Sequence, residues 1–180
     1  MSEALIVEHC SPTMAGLKTG SLFSCKCTSK TEVTEFAKSI NRKLVSHGLV
    51  VLPLSFRNNV ALIYVYRPKK LREDMAKKEA SAILSTFGYS TDPSLCVSHL
   101  AERIKESDNF PHEIGLFLGY PPQDVQGFLL CKPCKFTGYW KVYENEEMAR
   151  QSFARYEKCK RVYRLKYLQG VSIEKLTVCL

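Results

Sequence analysis

What this chain lacks narrows its class first. No apolar run approaches the roughly 20 residues that cross a bilayer, so a membrane-spanning protein is not expected. The start, MSEALIVEHCSPT, has no basic stretch followed by a long apolar one. No leader peptide is read there, and the cytoplasm is the expected location. Internal repeats, low-complexity tracts and long Gly/Ser/Pro linkers are missing too, which leaves a two-domain division without support. One domain over 1–180 is expected, opening with an irregular segment over 1–28. No helix-turn-helix, RNP or KH motif occurs.

What is present describes an ordinary globular chain with two biases. Its apolar fraction is 45% and its charged fraction 24%, the balance of a protein with a regular core. The first bias is basic: the net charge is +8. That permits an anionic small molecule, nucleic acid or anionic lipid as partner and identifies none of them. Lys158, Lys160, Arg161, Arg164 and Lys166 form one local cluster, but helical spacing puts Tyr156 and Tyr163 on the opposite, core-facing stripe. Nucleic acid is therefore a possible partner and not the favoured one. The second bias is cysteine, with eight residues. A chain of this size needs no disulfide staples, so buried thiols, metal ligands or redox groups are the natural readings.

The pattern of elements predicts an α+β fold with a small, largely antiparallel sheet. Ser29 and Glu32 form a capping box ahead of Val33, Phe36, Ala37, Ile40 and Leu44 at helical spacing, and Gly48 stops that helix. LVVLPLS (49–55) and VALIYVY (60–66) flank Arg57-Asn58-Asn59 as a β-hairpin, with Pro53 marking the first strand as an edge or bulged one. One helix is expected over 69–87, and another from Asp92 to about Glu106. A third starts at Asn109-Phe110-Pro111. TGYWKVYE (137–144) reads as a further strand of the sheet, and a long helix over 146–169 follows, ended by Gly170. The segment SIEKLTV stays open between strand and helix.

Chemistry concentrates between Phe110 and Tyr143. His112 and Glu113 fall in the first turn of a predicted helix, where free N–H groups favour an anion. They are the candidate acid–base pair. The zinc-protease pattern HExxH is excluded, because position 116 is Leu. Gly119-Tyr120-Pro121-Pro122 is a helix-breaking corner, with Tyr120 its candidate ligand contact. In Trp140-Lys141-Val142-Tyr143, alternation places Trp140 with Val142 on one side and Lys141 with Tyr143 on the other. Lys141 is a candidate for a phosphate or carboxylate. His9 and Lys18, on an early loop, and Arg67, in Arg67-Pro68-Lys69-Lys70, are further candidates for an anionic ligand.

Cys131-Lys-Pro-Cys134 has the spacing of zinc knuckles and of redox pairs. A structural zinc site needs two more ligands, and Cys25 with Cys27 is the candidate second pair despite its one-residue spacer. His9 and Cys10 are further possibilities. The redox reading departs from the thioredoxin context, since this CxxC follows a helix and precedes a strand.

FPHEIGLFLGYPPQDVQGF followed by GYWKVY resembles an uncharacterised family from anaerobic, low-GC Gram-positive bacteria. HCSPTMAGLKTGSLFSC, YRPKKL and the helix containing ARYEKC extend the likeness over most of the chain. The resemblance implies one cytoplasmic domain and brings no activity or cofactor with it. It adds weight to His9, Lys18, Arg67, His112, Glu113, Tyr120, Trp140 and Lys141, which occupy those motifs. The CKPC segment lies between the two strongest blocks. The leading expectation is a protein that binds an anionic small molecule or cofactor near His112 and Lys141, with enzymatic use left open. The alternatives are a metal or thiol-redox accessory protein and a nucleic-acid-binding module.

Overall fold

A computed structural model describes residues 1–106 and 110–180; the helix start expected at Asn109 lies outside the described residues. Within the α+β architecture, the chain forms two compact units. The first comprises 1–70 and 156–180, the second 71–155. In chain order the elements are α1 (Glu3–Met14), β1 (Gly20–Lys26), α2 (Lys30–Leu44), β2 (Val50–Arg57), β3 (Val60–Tyr66), α3 (Pro68–Met75), α4 (Lys78–Thr86), α5 (Pro93–Glu106), α6 (Ile114–Phe117), α7 (Pro122–Leu129), β4 (Phe136–Thr137), β5 (Lys141–Val142), α8 (Glu146–Leu168) and α9 (Ile173–Leu176).

The first unit is built on an antiparallel sheet in the order β1-β3-β2. The strand VALIYVY takes the centre because it is apolar on both faces, which a strand flanked on each side tolerates best. Asn58 and Asn59 turn the hairpin at φ 51° and 59°, the left-handed pair that a tight two-residue turn requires. Pro53 behaves as its chemistry demands. β2 is an edge strand, and its register slips between Pro53 and Ser55. Ser29 Oγ accepts the Glu32 N–H at 3.1 Å to start α2, and Gly48 ends the following turn at φ 74°. Val33, Phe36, Ile40 and Leu44 of α2 then join Ile6, Cys10 and Met14 of α1 and Ala61, Ile63 and Val65 of β3 in one apolar core.

Three expectations change. The segment 1–28 is not irregular: it supplies α1 and β1. In α1, Ile6, Val7 and the consecutive run from Cys10 to Met14 are all buried. A helix buried on several faces has no amphipathic period to read, and Pro12 in its last turn imitates a loop signal. The helix expected over 69–87 breaks at Ala76-Lys77 into α3 and α4, where Lys77 takes an extended backbone, φ −64° and ψ 134°. The strand expected over 137–144 turns back at Gly138, whose N–H bonds the Trp140 carbonyl at 3.0 Å. The resulting β4–β5 ladder is a sheet of its own. SIEKLTV resolves as the short helix α9.

Candidate functional site

The second unit contains a cavity of about 190 Å³ lined by His112, Ile114, Gly115, Tyr120, Asp124, Val125, Phe128, Trp140 and Lys141. Three local devices assemble it. Gly119 ends the α6 turn at φ 77°, a conformation natural to glycine, and the following prolines redirect the chain so that α7 runs back past it. Gly115 admits Tyr120: a Cβ there would sit 2.8 Å from Val125 and 3.0 Å from the tyrosine ring. Asp124, buried in the first turn of α7, grips the β4–β5 hairpin. One oxygen accepts the Trp140 indole N–H at 2.7 Å. The other accepts the N–H groups of Tyr143 at 2.7 Å and Glu144 at 3.0 Å.

The walls are aromatic and the rim is basic. Tyr120 stacks on Trp140 at 4.9 Å between centroids, and its hydroxyl donates to the Tyr139 carbonyl at 3.1 Å. His112 stands edge-on to Phe128 at 4.9 Å. Lys141 Nζ lies 5.1 Å from the centre of the same ring, within cation–π range. His112 and Lys141 are both exposed at the mouth, while Trp140 is buried behind them. Asp124, the carboxylate lining this cavity, has its oxygens occupied by three donors, which leaves Lys141 and His112 as the polar side chains at the mouth.

The predicted residues separate. His112, Tyr120, Trp140 and Lys141 meet around this cavity. Glu113 does not join them. It is 1% exposed, and its Oε1 accepts the Tyr89 hydroxyl at 2.9 Å and Arg103 Nε at 2.8 Å. Burial, followed by the Glu113 charge, pushes the Tyr89 phenol well above its ordinary pKa. The acid–base pairing of His112 with Glu113 is thus replaced by a structural Tyr89–Glu113–Arg103 link. The helix-terminus reading changes too, since α6 spans four residues and begins after both side chains.

His9, Lys18 and Arg67 belong to the first unit, and neither unit by itself contains both sets. Arg67 is committed to folding. Its guanidinium donates to the carbonyls of Thr13 at 2.6 Å, Met14 at 2.6 Å, Val178 at 2.8 Å and His47 at 3.1 Å. It thereby caps the C-terminal end of α1, where carbonyls lack helical partners. Lys70 Nζ adds a bond to the Gly16 carbonyl at 2.6 Å. The YRPKKL and HCSPTMAGLK segments are therefore two halves of one structural clamp. Lys18 is buried, and burial pulls its ammonium down to about 8, against the nearby Cys10. His9 stacks flat on Phe23 at 4.7 Å; burial lowers its pKa, and Lys160 lowers it further against Glu8.

Among the described residues no group of three or more His, Cys, Asp or Glu side chains is placed to hold a metal ion. Cys131 and Cys134 are exposed, whereas Cys27 is buried in the first unit. The basic cluster of α8 keeps its tyrosines inward: Tyr156 is buried, and Tyr163 and Tyr167 are partly buried against the core. Base stacking on that face has no aromatic platform among those tyrosines. No helix among the described residues is long and apolar enough to cross a membrane.

These features define an α+β protein carrying an aromatic cavity with a cationic mouth. The chain belongs to the DUF3793 family, proteins of unknown function, whose model matches residues 6–177. That agrees with the resemblance read from its motifs. Neither a curated protein nor a solved structure matches the chain.

Proposed function

We propose that the cavity between α7 and the β4–β5 hairpin binds a small, planar organic anion. The observation that carries this reading is the placement of Lys141 over Phe128 at the mouth of a largely apolar cavity walled in part by Tyr120, Phe128 and Trp140. Aromatic walls favour a flat, apolar ligand body, and a cation at the rim favours a carboxylate or similar group on its outer edge. With a volume of about 190 Å³, the cavity suits a single-ring molecule; drug-sized ligands occupy roughly 300–1,000 Å³. His112, which packs on the same Phe128 ring as Lys141, supplies a second polar contact. Because Glu113 is engaged elsewhere, His112 serves as a hydrogen-bonding group and not as half of an acid–base pair.

Trp140 is the one tryptophan in the chain and lines the cavity, so its emission reports occupancy directly. Benzoate is the probe of choice, with uncharged benzamide as its control. Benzoate should change the emission saturably, and Lys141→Met should weaken its binding about tenfold, or roughly 1.4 kcal/mol. A benzoate titration without saturation, or equal affinities for benzoate and benzamide, rejects the reading.

A further inference from the structure

α7 ends in a Schellman turn. The Lys132 N–H bonds the Gly127 carbonyl and the Cys131 N–H bonds the Phe128 carbonyl, both at 3.0 Å, which is the paired pattern of that cap. The residue such a turn places in the left-handed region is ordinarily glycine, since a Cβ costs on the order of 1 kcal/mol there. This chain has Cys131 at φ 50°. The other side-chain-bearing residues found there among those described are Asn58 and Asn59, and asparagine tolerates the conformation. Local folding gives no reason for a cysteine at this position.

Its surroundings supply one. Three positions on, Cys134 is also exposed, with its Sγ 3.8 Å from Thr137 Oγ1. Between them Pro133 fixes one φ and narrows the conformations open to the loop. Lys132 and Lys135 are exposed on either side of Pro133 and Cys134, giving the loop a positive field. The remaining cysteines differ from this pair, and Cys25, two positions before a second cysteine, is half-buried with that neighbour Cys27 buried. Cys10, Cys27, Cys96 and Cys159 are buried and serve as small apolar side chains. Cys179 is exposed but has no second cysteine beside it in the sequence.

We propose that Cys131 and Cys134 form a thiol–disulfide redox site that takes low-molecular-weight disulfides of negative charge, the class of oxidised glutathione. Cys134 is assigned as the first nucleophile and Cys131, held in the Schellman turn, as the resolving thiol. The Cys134 thiolate attacks one sulfur of the disulfide, the S–S bond breaks, and one small thiolate leaves. The Cys131 thiolate then attacks the Cys134 sulfur of the mixed disulfide and expels the second. The dithiol loses two electrons, the small disulfide gains them, and the two cysteine protons end on the two released thiols. None of these steps depends on a ligand in the aromatic cavity.

The test is incubation of the fully reduced protein with oxidised glutathione, followed by peptide mass mapping. A Cys131–Cys134 disulfide should form at least about tenfold faster than the glutathione adduct of Cys179, because Lys132 and Lys135 draw the anionic disulfide to Cys134, and the intramolecular second step keeps the mixed disulfide from accumulating. In Cys131→Ser the reaction should stop at an adduct on Cys134. Free thiols at 131 and 134 when Cys179 is already modified overturn the proposal. So do stable adducts on both cysteines of the unsubstituted chain.

Discussion

Asp124 and Trp140 are joined by a 2.7 Å hydrogen bond from the indole N–H to Oδ2, and this bond fixes one wall of the candidate site. Asp124 Oδ1 simultaneously accepts two backbone N–H groups of the hairpin. Removing the carboxylate would leave three donors without their acceptor, each worth about 1–3 kcal/mol when buried. Asp124→Ala should therefore lower stability by on the order of 3 kcal/mol in urea denaturation. It should also shift the native Trp140 emission to longer wavelength as the ring gains water. Lys141→Met, an exposed change, should move stability by less than about 0.5 kcal/mol. A loss of similar size in both variants would contradict this division between support and contact.

Arg67 looks like a ligand residue in the sequence and acts as a hub in the fold. One guanidinium serves four carbonyls, from α1, the turn after α2 and the segment after α9. A lysine ammonium is a point donor and cannot span that set. Arg67→Lys should accordingly cost most of what Arg67→Met costs, on the order of 3 kcal/mol or more. Benzoate binding at low temperature, where both variants remain folded, should be unchanged. Full stability in the lysine variant would show that charge alone suffices.

Where the sequence was readable, a local rule and the tertiary setting agreed. VALIYVY became the central strand because both of its faces are apolar, and Ser29 with Glu32 started α2 as a capping box does. The turn residues around Gly119 and Pro121 likewise located the corner that carries Tyr120. Glu113 and Asp124 show where such reading stops. Both are carboxylates at helix starts, and neither sequence position reveals which donors fold against it. Glu113 met Tyr89 and Arg103, while Asp124 met Trp140 and became the support of the cavity. α1 was hidden for a different reason: burial on several faces removes the periodicity that marks a surface element, while β1, GSLFSCK, has no β-branched residue to mark it as a strand.

The buried ammonium of Lys18 gives stability a definite pH dependence. Its folded pKa is about 8, against an ordinary 10.5. Between those values the unfolded chain holds a proton that the folded chain lacks, so the Lys18 contribution rises with pH. It is complete above the unfolded value and lost as pH falls through the folded one. The Cys10 thiol, pushed up by burial from its usual 9.0, opposes this above pH 9. The stability difference between the unsubstituted protein and Lys18→Met isolates the lysine. It should shift in favour of the lysine form by on the order of 3 kcal/mol from pH 7 to 10.5. A difference that stays flat across that range would mean that Lys18 folds with an ordinary pKa.

Cys131→Gly separates folding from chemistry at the end of α7. Glycine adopts the left-handed conformation without the Cβ penalty but carries more freedom in the unfolded chain. The net effect at a Schellman position should be a gain of up to about 1 kcal/mol, measured by urea denaturation under reducing conditions. The Cys131 side chain is exposed, so little packing is lost to offset that gain. If the variant is instead less stable, the thiol makes a folding contribution, and the cysteine needs no redox role to explain its place. A gain in stability would show a residue held against its local conformational preference, as a chemical site requires and a helix cap does not.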